Sequence, residues 1–191
     1  MRGAAVPRPT GNGPVALVTG GIMAEVLREH PSRKPNRMVG KSYNWNGAYF
    51  LTACTKERHC FFGQVQDGTM ILSDIGRIAV ETLANTEVIY PSVLLDSFVI
   101  MPNHVHLLVV LLSERHNPTI QRLMQQWKGI VTKKAEFPLW QDRFDDRIVY
   151  GAAGFRKIKQ YIEDNPMQWK EDKFYEPATE PGAQGPSAHS L

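Results

Sequence analysis

Cysteines and long apolar runs are scarce in this sequence, and each scarcity excludes a class of protein. The two cysteines, Cys54 and Cys60, form neither a zinc-binding spacing nor a disulfide framework, which favours a reducing environment. No segment reaches the length of about eighteen apolar residues that predicts a transmembrane helix, and no secretory signal is recognisable. We therefore expect a cytoplasmic protein that makes no use of a membrane.

A glycine-rich phosphate-binding loop is also missing. The segment ALVTGGIM contains part of the glycine turn of a nucleotide-binding βα unit. The G-x-G-x-x-G pattern is incomplete, however, and no βαβ alternation follows it. A nucleotide-dependent oxidoreductase is therefore the weakest of the candidate functions.

Positive charge is concentrated at the start of the sequence. Residues 1–43 contain seven basic and two acidic residues, whereas the remainder contains fifteen basic and seventeen acidic residues. The larger part is thus not basic as a whole, and nucleic-acid binding there would depend on local patches. We predict a flexible basic extension at 1–43, one folded domain at 44–175, and a disordered Pro/Gly/Ala/Ser tail at 176–191.

The pattern of apolar residues between the two ends predicts seven elements in the order β-α-β-β-α-β-α. This order is typical of the split βαβ arrangement, an α+β fold of the ferredoxin-like or RRM-like kind. We expect an antiparallel four-stranded sheet with helices on one face, followed by a C-terminal helix that carries a tyrosine. The predicted strands are 47–55, 94–101, 104–112 and 143–150, and the predicted helices are 73–86, 118–136 and 154–165.

The apolar segment DSFVIMPNHVHLLVVLL contains two histidines, His104 and His106. Side chains alternate along a strand, so both imidazoles point to the same face of a strand that should be central in the sheet. Buried imidazoles need hydrogen bonds or a cation, and two of them can hold a divalent metal if a third ligand arrives from elsewhere. Taken alone, this pattern is more often explained by two hydrogen-bonded polar residues at a strand end.

The final predicted helix carries Tyr161 and Asn165, four residues apart and therefore on one helical face. Arg156 and Lys157 lie just upstream, in an environment suited to a phosphate. A tyrosine beside a metal that binds phosphate can act as a nucleophile, although a free phenol has a pKa of about 10 and needs activation. Taken alone, a tyrosine in an amphipathic helix more often packs at the rim of the core.

Three segments together resemble the single-tyrosine HUH transposases, and within them the REP-associated tyrosine transposase branch. They are FVIMPNHVHLLV, LWQDRFDDRIV and KQYIEDNPMQW, in this order and spacing. The segment GAYFLTACTKERHCFFG also resembles the first strand and following loop of that branch. The resemblance covers residues 44–175 and leaves out both ends, and the P-N-H-x-H and Y-I-x-x-N-P-x-x-W motifs are far more specific together than either is alone.

The resemblance implies metal-dependent cleavage and joining of single-stranded, hairpin or palindromic DNA through a 5′-phosphotyrosine intermediate. It assigns His104 and His106 to the metal pair, Asn165 to the third ligand position and Tyr161 to the catalytic position. The cation implied is Mg²⁺ or Mn²⁺, and a monomer or a homodimer is compatible with the pattern. Phosphodiester energy is conserved in such an intermediate, which agrees with the missing ATP-binding loop.

Two positions depart from the F-[H/Y]-D-[H/R]-x-x-R pattern that is frequent in this family. Asp145 takes the place of an aromatic residue or histidine, and Tyr150 takes the place of an arginine. Losing a cation near the DNA path would weaken substrate binding. The acidic cluster of Asp142, Asp145 and Asp146 would repel phosphate unless it faces solvent.

The helix predicted at 118–136 carries further cations that could contact DNA. Lys128, Lys133 and Lys134 are candidates for backbone phosphate contacts. A solvated helix face, with Trp127 in the core, explains the same residues, and both interpretations stay open. For Trp140 and Trp169, core packing is the simpler interpretation than base stacking.

A nucleic-acid-binding domain without catalysis is the main alternative, because the fold is shared with RNA-binding domains and does not determine function. Binding of the RRM type needs exposed aromatic residues on neighbouring central strands. The comparable strand here carries histidines instead, which favours the enzyme.

Overall fold

The computed structural model describes residues 46–112 and 118–177. The predicted extension at 1–43 and all but two residues of the predicted tail at 176–191 lie outside these ranges. The elements in chain order are β1 (Gly47–Cys54), β2 (Gly63–Gln66), β3 (Thr69–Leu72), α1 (Asp74–Ala84), α2 (Thr86–Ile89), β4 (Val93–Ile100), β5 (His104–Leu111), α3 (Ile120–Ala135), β6 (Asp145–Val149) and α4 (Gly151–Asp164), with short 3-10 helices at Lys56–Arg58 and Trp169–Glu171.

Four strands form an antiparallel sheet in the order β4-β5-β1-β6. β5 lies in the interior of this sheet, and all eight of its residues are buried. The predicted α+β class, the four-stranded antiparallel sheet and the central position of the histidine strand are therefore confirmed. None of the helices in the described ranges is long and apolar enough to cross a bilayer.

A short hairpin of β2 and β3 was not predicted from the sequence. Its two strands are joined by Asp67 and Gly68, whose φ angles are 50° and 71°. Two consecutive positive φ angles are what a tight type I′ hairpin turn requires, and Asp-Gly is a preferred pair for it. The hairpin was missed because each strand has only four residues, too few to produce a strong alternating pattern.

Alternation of side chains along β1 and β5 divides the core into two layers. The layer that contains Leu51 and Leu107 includes residues of α1 and α3. The layer that contains Phe50 and Leu108 includes residues of α4. Helices therefore cover both faces of the sheet, and the final helix lies opposite the other two long helices.

The apolar side of α4 determines where Tyr161 lies. Phe155 and Ile162 are buried in one cluster with Phe50 and with other residues of that sheet face. Burial of a large apolar side chain contributes about 1.5–3 kcal/mol, so these contacts hold the helix against the sheet. Tyr161 packs against the same cluster and is thereby fixed over the sheet face that carries the two histidines.

Candidate active site

The two histidines project from β5 towards α4, and both are almost completely buried. His104 is 0% exposed and His106 is 1% exposed, and their ring centroids are 4.6 Å apart. The Nδ1 atom of each ring is already hydrogen-bonded. His104 Nδ1 lies 2.9 Å from Asn103 Oδ1, and His106 Nδ1 lies 2.8 Å from the Thr52 hydroxyl. This leaves the two Nε2 atoms for other partners.

Both imidazoles are neutral at neutral pH. Burial lowers the pKa of His104 to about 3, assisted by the positive charges of Lys173 and Arg58. Burial also lowers the pKa of His106 well below its ordinary value, with a contribution from His104. A neutral imidazole has a lone pair on one nitrogen, which is the form that binds a metal ion.

Tyr161 lies directly against this pair. Its hydroxyl is 3.2 Å from His106 Nε2 and 3.3 Å from a carboxylate oxygen of Asp172. The Phe50 ring stacks on His106 and meets the Tyr161 ring edge-on. Burial, followed by the negative charge of Asp172, raises the pKa of Tyr161, so the phenol is protonated at neutral pH and must be activated before it can act as a nucleophile.

Asn165 ends α4 one turn after Tyr161 and is 2% exposed. Its amide nitrogen donates to Asp172 Oδ2 at 3.2 Å. Its Oδ1 atom and His104 Nε2 are both buried and have no hydrogen-bond partner among the described residues. Two buried acceptors without donors are costly in a folded protein, unless a ligand supplies the missing interaction.

Asp172 is the residue of this site that the sequence analysis missed. Its Oδ2 accepts hydrogen bonds from Tyr161 and Asn165, and its Oδ1 accepts one from the backbone N–H of Phe174 at 2.7 Å. Three donors therefore converge on one carboxylate, a role that an amide could not fill because its NH₂ group would face one of them. Asp172 follows a short 3-10 helix, where no periodic pattern reports which way a side chain points.

The ligand atoms of His104, His106 and Asp172 lie within 4.8 Å of one another. With the Oδ1 atom of Asn165, the site offers two imidazole nitrogens, a carboxylate oxygen and an amide oxygen. This donor set fits a divalent cation and leaves coordination positions for phosphate oxygens and water. The predicted metal pair and the position of Asn165 are thus brought together with Tyr161 in one place.

Arg147 is a second residue near the site that was not singled out from the sequence. The pairing of β6 with β1 places it opposite Phe50, so both side chains share the face that carries the histidines. Burial is the largest cause of both pKa shifts in this pair, since it lowers the pKa of His106 and raises that of Tyr161. The positive charge of Arg147 acts to lower both pKa values. Arg147 therefore supplies positive charge at the edge of the candidate site.

The other predicted DNA-contacting residues divide between the two faces of the sheet. Arg156 and Lys157 are exposed on α4, and Lys157 lies one turn before Tyr161 on the same helical side. The remaining three, Lys128, Lys133 and Lys134, lie on α3, which packs on the opposite face.

The ammonium group of Lys128 already has a hydrogen-bond partner within the protein. Its ammonium donates to the backbone carbonyl of Gln141 at 2.7 Å. Trp127 and Trp140 are buried in the core beside it, and Trp169 is buried in a smaller cluster near the histidines. Core packing of the three tryptophans is thus confirmed, while DNA contact by the three lysines of α3 stays a prediction.

Of the two departures from the family pattern, Asp145 begins β6 and Tyr150 directly follows that strand. Asp145 is exposed and pairs with Thr52 across the strands, so it shares the sheet face of the histidines at the outer strand. Asp142 is also exposed, while Asp146 is partly buried. Tyr150 precedes α4 and is 45% exposed.

Comparisons with known proteins identify a structural relative and a sequence relative. No family model matches the sequence. An uncharacterized protein of Haemophilus influenzae is 28% identical over 167 residues, and the match covers 75% of this chain and 93% of that protein. The solved structure of the REP-associated tyrosine transposase bound to a REP hairpin superposes with a TM-score of 0.54 at 18% identity, covering 67% of this chain and 72% of that one. This chain therefore shares the fold of that transposase.

Proposed function

We propose that this protein is a metal-dependent enzyme that cleaves and rejoins single-stranded DNA, as a member of the REP-associated branch of the single-tyrosine HUH transposases. One observation carries the proposal. The phenol hydroxyl of Tyr161 lies 3.2 Å from Nε2 of the buried His106. Beside it lie two buried atoms, His104 Nε2 and Asn165 Oδ1, that have no hydrogen-bond partner among the described residues. The shared fold with a transposase that was solved bound to a REP hairpin supports a DNA hairpin as the substrate.

The cation, Mg²⁺ or Mn²⁺, would be held by Nε2 of His104, Nε2 of His106 and Oδ1 of Asn165, with the Asp172 carboxylate beside them. When bound, it supplies Lewis-acid polarisation of the scissile phosphate. The hydroxyl of Tyr161 lies 3.2 Å from His106 Nε2, so a phosphodiester held by such a cation would lie beside the proposed nucleophile.

The chemistry proposed for Tyr161 is a single displacement at phosphorus. Its phenol oxygen forms a bond to phosphorus while the bond from phosphorus to the 3′ oxygen breaks. The products are a 5′-phosphotyrosine and a DNA strand that ends in a 3′-hydroxyl after taking up a proton. The phenol proton leaves along the hydrogen bond to Asp172 Oδ2, the carboxylate nearest to it. Attack by a 3′-hydroxyl on the phosphotyrosine reverses these bond changes and joins the strands.

A catalytically inactive nucleic-acid-binding domain fits the site less well. Binding of the RRM type uses an open sheet face with exposed aromatic residues on central strands. On this sheet the face that carries Phe50 and His106 is covered by α4, and both side chains are buried. Within the described part of the chain, the buried side-chain atoms without a hydrogen-bond partner are His104 Nε2 and Asn165 Oδ1, and both belong to the candidate site.

The proposal is tested with hairpin oligonucleotides that carry randomised single-stranded flanks. We expect a denaturation-resistant protein–DNA adduct with Mn²⁺ or Mg²⁺ and none with EDTA, and peptide mapping should find the nucleotide on Tyr161. Adduct formation on fully duplex DNA should be much weaker. Equal DNA affinity with and without metal, together with no adduct on any hairpin, would instead identify a binding domain.

Metal affinity is expected to be almost independent of pH between about pH 7.5 and about pH 5.5. The folded-state pKa of His104, about 3, lies far below this range, so protons do not compete with the cation there. Two imidazoles of ordinary pKa would lose about 100-fold in affinity over the same interval. Calorimetric titration with Mn²⁺ measures this, with circular dichroism at each pH to establish that the protein is folded. A tenfold fall per pH unit would show that the histidines titrate normally.

Replacing Arg147 with glutamine is expected to slow adduct formation by about 10- to 100-fold, because a cation beside the phosphate stabilises the charge that develops during displacement. Mn²⁺ affinity should stay within about threefold, since Arg147 is not a proposed ligand. Arg143→Gln, an exposed substitution just before the same strand, is the matched control. Equal single-turnover rates for Arg147→Gln and the control would remove Arg147 from the mechanism.

A further inference from the structure

Asn103 has both ends of its side-chain amide engaged, although it lies within a short turn between two strands. It is 0% exposed. Its Nδ2 donates to the backbone carbonyl of Phe174 at 2.8 Å, and its Oδ1 lies 2.9 Å from His104 Nδ1. A carbonyl can only accept, so the amide nitrogen must face Phe174 and the amide oxygen must face His104. The chemistry of the partners therefore fixes the orientation of the amide.

This orientation determines which nitrogen of His104 carries the proton. The amide oxygen of Asn103 can only accept a hydrogen bond, so Nδ1 of His104 must be the donor. The ring is completely buried, and a neutral imidazole has one N–H group, so with Nδ1 as the donor the lone pair lies on Nε2. That lone pair has no partner among the described residues and belongs to the atom group that gathers at the candidate metal site.

The hydrogen bonds continue beyond Asn103 to the nucleophile. Phe174 accepts from Asn103 with its carbonyl, and its own N–H donates to Asp172 Oδ1. The other oxygen of Asp172 accepts from Tyr161 and Asn165. A single chain of hydrogen bonds thus leads from Tyr161 through Asp172, Phe174 and Asn103 to His104.

His106 has different partners. Its Nδ1 partner is the hydroxyl of Thr52, and its Nε2 partner is the hydroxyl of Tyr161. The single proton of Tyr161 is donated to Asp172, so in the metal-free protein this hydroxyl accepts from His106 Nε2, and the Thr52 hydroxyl donates to Nδ1. Of the two histidines, only His104 therefore has its Nε2 lone pair directed into the site by the partner on its other nitrogen.

We propose that Asn103 is a positioning residue that holds His104 in the Nδ1–H tautomer, through a hydrogen-bond chain anchored at Phe174 and Asp172. The inference rests on the proposed function in one respect, namely that Nε2 of His104 is a metal ligand. We infer in addition that His104 Nε2 already carries its lone pair in the metal-free protein. Hydrogen bonds of this kind to the far nitrogen of a ligating histidine typically change metal affinity by about 10- to 100-fold.

The direct test is the tautomer of His104 in the metal-free protein. Protein labelled with ¹⁵N on its histidine rings is studied by long-range ¹H–¹⁵N correlation, which distinguishes Nδ1–H from Nε2–H, and His104→Gln identifies the signals. We expect Nδ1–H in the wild-type protein. Nε2–H in the wild-type protein overturns the proposal without any further variant.

Two variants test the role of Asn103 itself. Asn103→Leu removes the acceptor, so we expect a shift towards Nε2–H and a loss of Mn²⁺ affinity of about 10- to 100-fold. Asn103→Asp keeps an acceptor for Nδ1–H, so the tautomer should be unchanged, although loss of the hydrogen bond to the Phe174 carbonyl should lower the stability of this variant. An unchanged tautomer in folded Asn103→Leu would overturn the proposal; if this variant does not fold, the wild-type spectrum and Asn103→Asp decide it.

The same measurements separate this inference from the proposed function. A wild-type protein that shows the Nδ1–H tautomer but does not bind Mn²⁺ would support the positioning role and contradict the metal-dependent function. A wild-type protein that forms the metal-dependent adduct but keeps full Mn²⁺ affinity in Asn103→Leu would support the function and overturn the positioning role.

Discussion

Replacing Tyr161 with phenylalanine is expected to abolish the covalent protein–DNA adduct. The substitution removes only the hydroxyl oxygen, which is the atom proposed to bond to phosphorus, and leaves a ring that can still pack against Phe50. Removal of a catalytic nucleophile typically costs a factor of 10⁴ or more, so we expect a rate at least about 10⁴-fold lower. The measurement is the yield of denaturation-resistant adduct over time under single-turnover conditions.

The Tyr161→Phe variant should still bind the cation. Mn²⁺ affinity should change little, because the proposed ligands are His104, His106 and Asn165. Tyr150→Phe is the matched control, since Tyr150 is exposed at the start of the same helix. An adduct of normal yield in Tyr161→Phe would show that another residue is the nucleophile, and loss of the adduct in Tyr150→Phe alone would point to Tyr150.

The second large effect is expected from replacing either buried histidine with glutamine. Each of His104→Gln and His106→Gln removes one imidazole ligand, and we expect Mn²⁺ affinity to fall by at least about 100-fold. Adduct formation should fall in parallel and recover in part at high metal concentration, because the nucleophile is still present. Isothermal titration with Mn²⁺, followed by the adduct assay across a metal series, measures both effects.

His59→Gln is the control for this pair. His59 lies in the loop after β1, where it pairs with Glu57 rather than with the candidate site. The His59→Gln variant should therefore bind Mn²⁺ as the wild-type protein does. If all three variants had the same affinity as the wild type, any bound cation would have to lie elsewhere. Circular dichroism should accompany the titrations, because both exchanged imidazoles are buried and Thr52 loses its partner in His106→Gln.

Several features of the fold were predictable because they depend on short-range geometry of the chain. Ser73 was expected to begin the first helix, and its hydroxyl does accept from the N–H of Gly76 at 3.1 Å. The alternation of side chains placed His104 and His106 on one face of a central strand, as observed. The four-residue spacing placed Tyr161 and Asn165 on one side of a helix. The pairing of these two elements in a single site came from the family resemblance rather than from the patterns.

Other features were decided only by long-range packing. An amphipathic helix has one apolar side, but that side can pack on either face of a sheet whose central strand, here β5, is apolar on both faces. The sequence patterns therefore did not separate α4, which covers the histidines, from α3, which carries Lys128, Lys133 and Lys134 on the opposite face. For the same reason the proximity of Arg147 to the site depended on the register between β6 and β1.

By itself the sequence determined the four strands of the main sheet and the three long helices, the face of the two histidines, and the helical side that carries Tyr161 and Asn165, because each follows from a repeat of two or about 3.6 residues. The tertiary structure decided what surrounds them. Asp172 lies in an irregular segment without a repeat, and the contact between Asn103 and Phe174 joins residues 71 positions apart. Such contacts depend on where the chain returns after the whole sheet has formed, and no local pattern encodes that position.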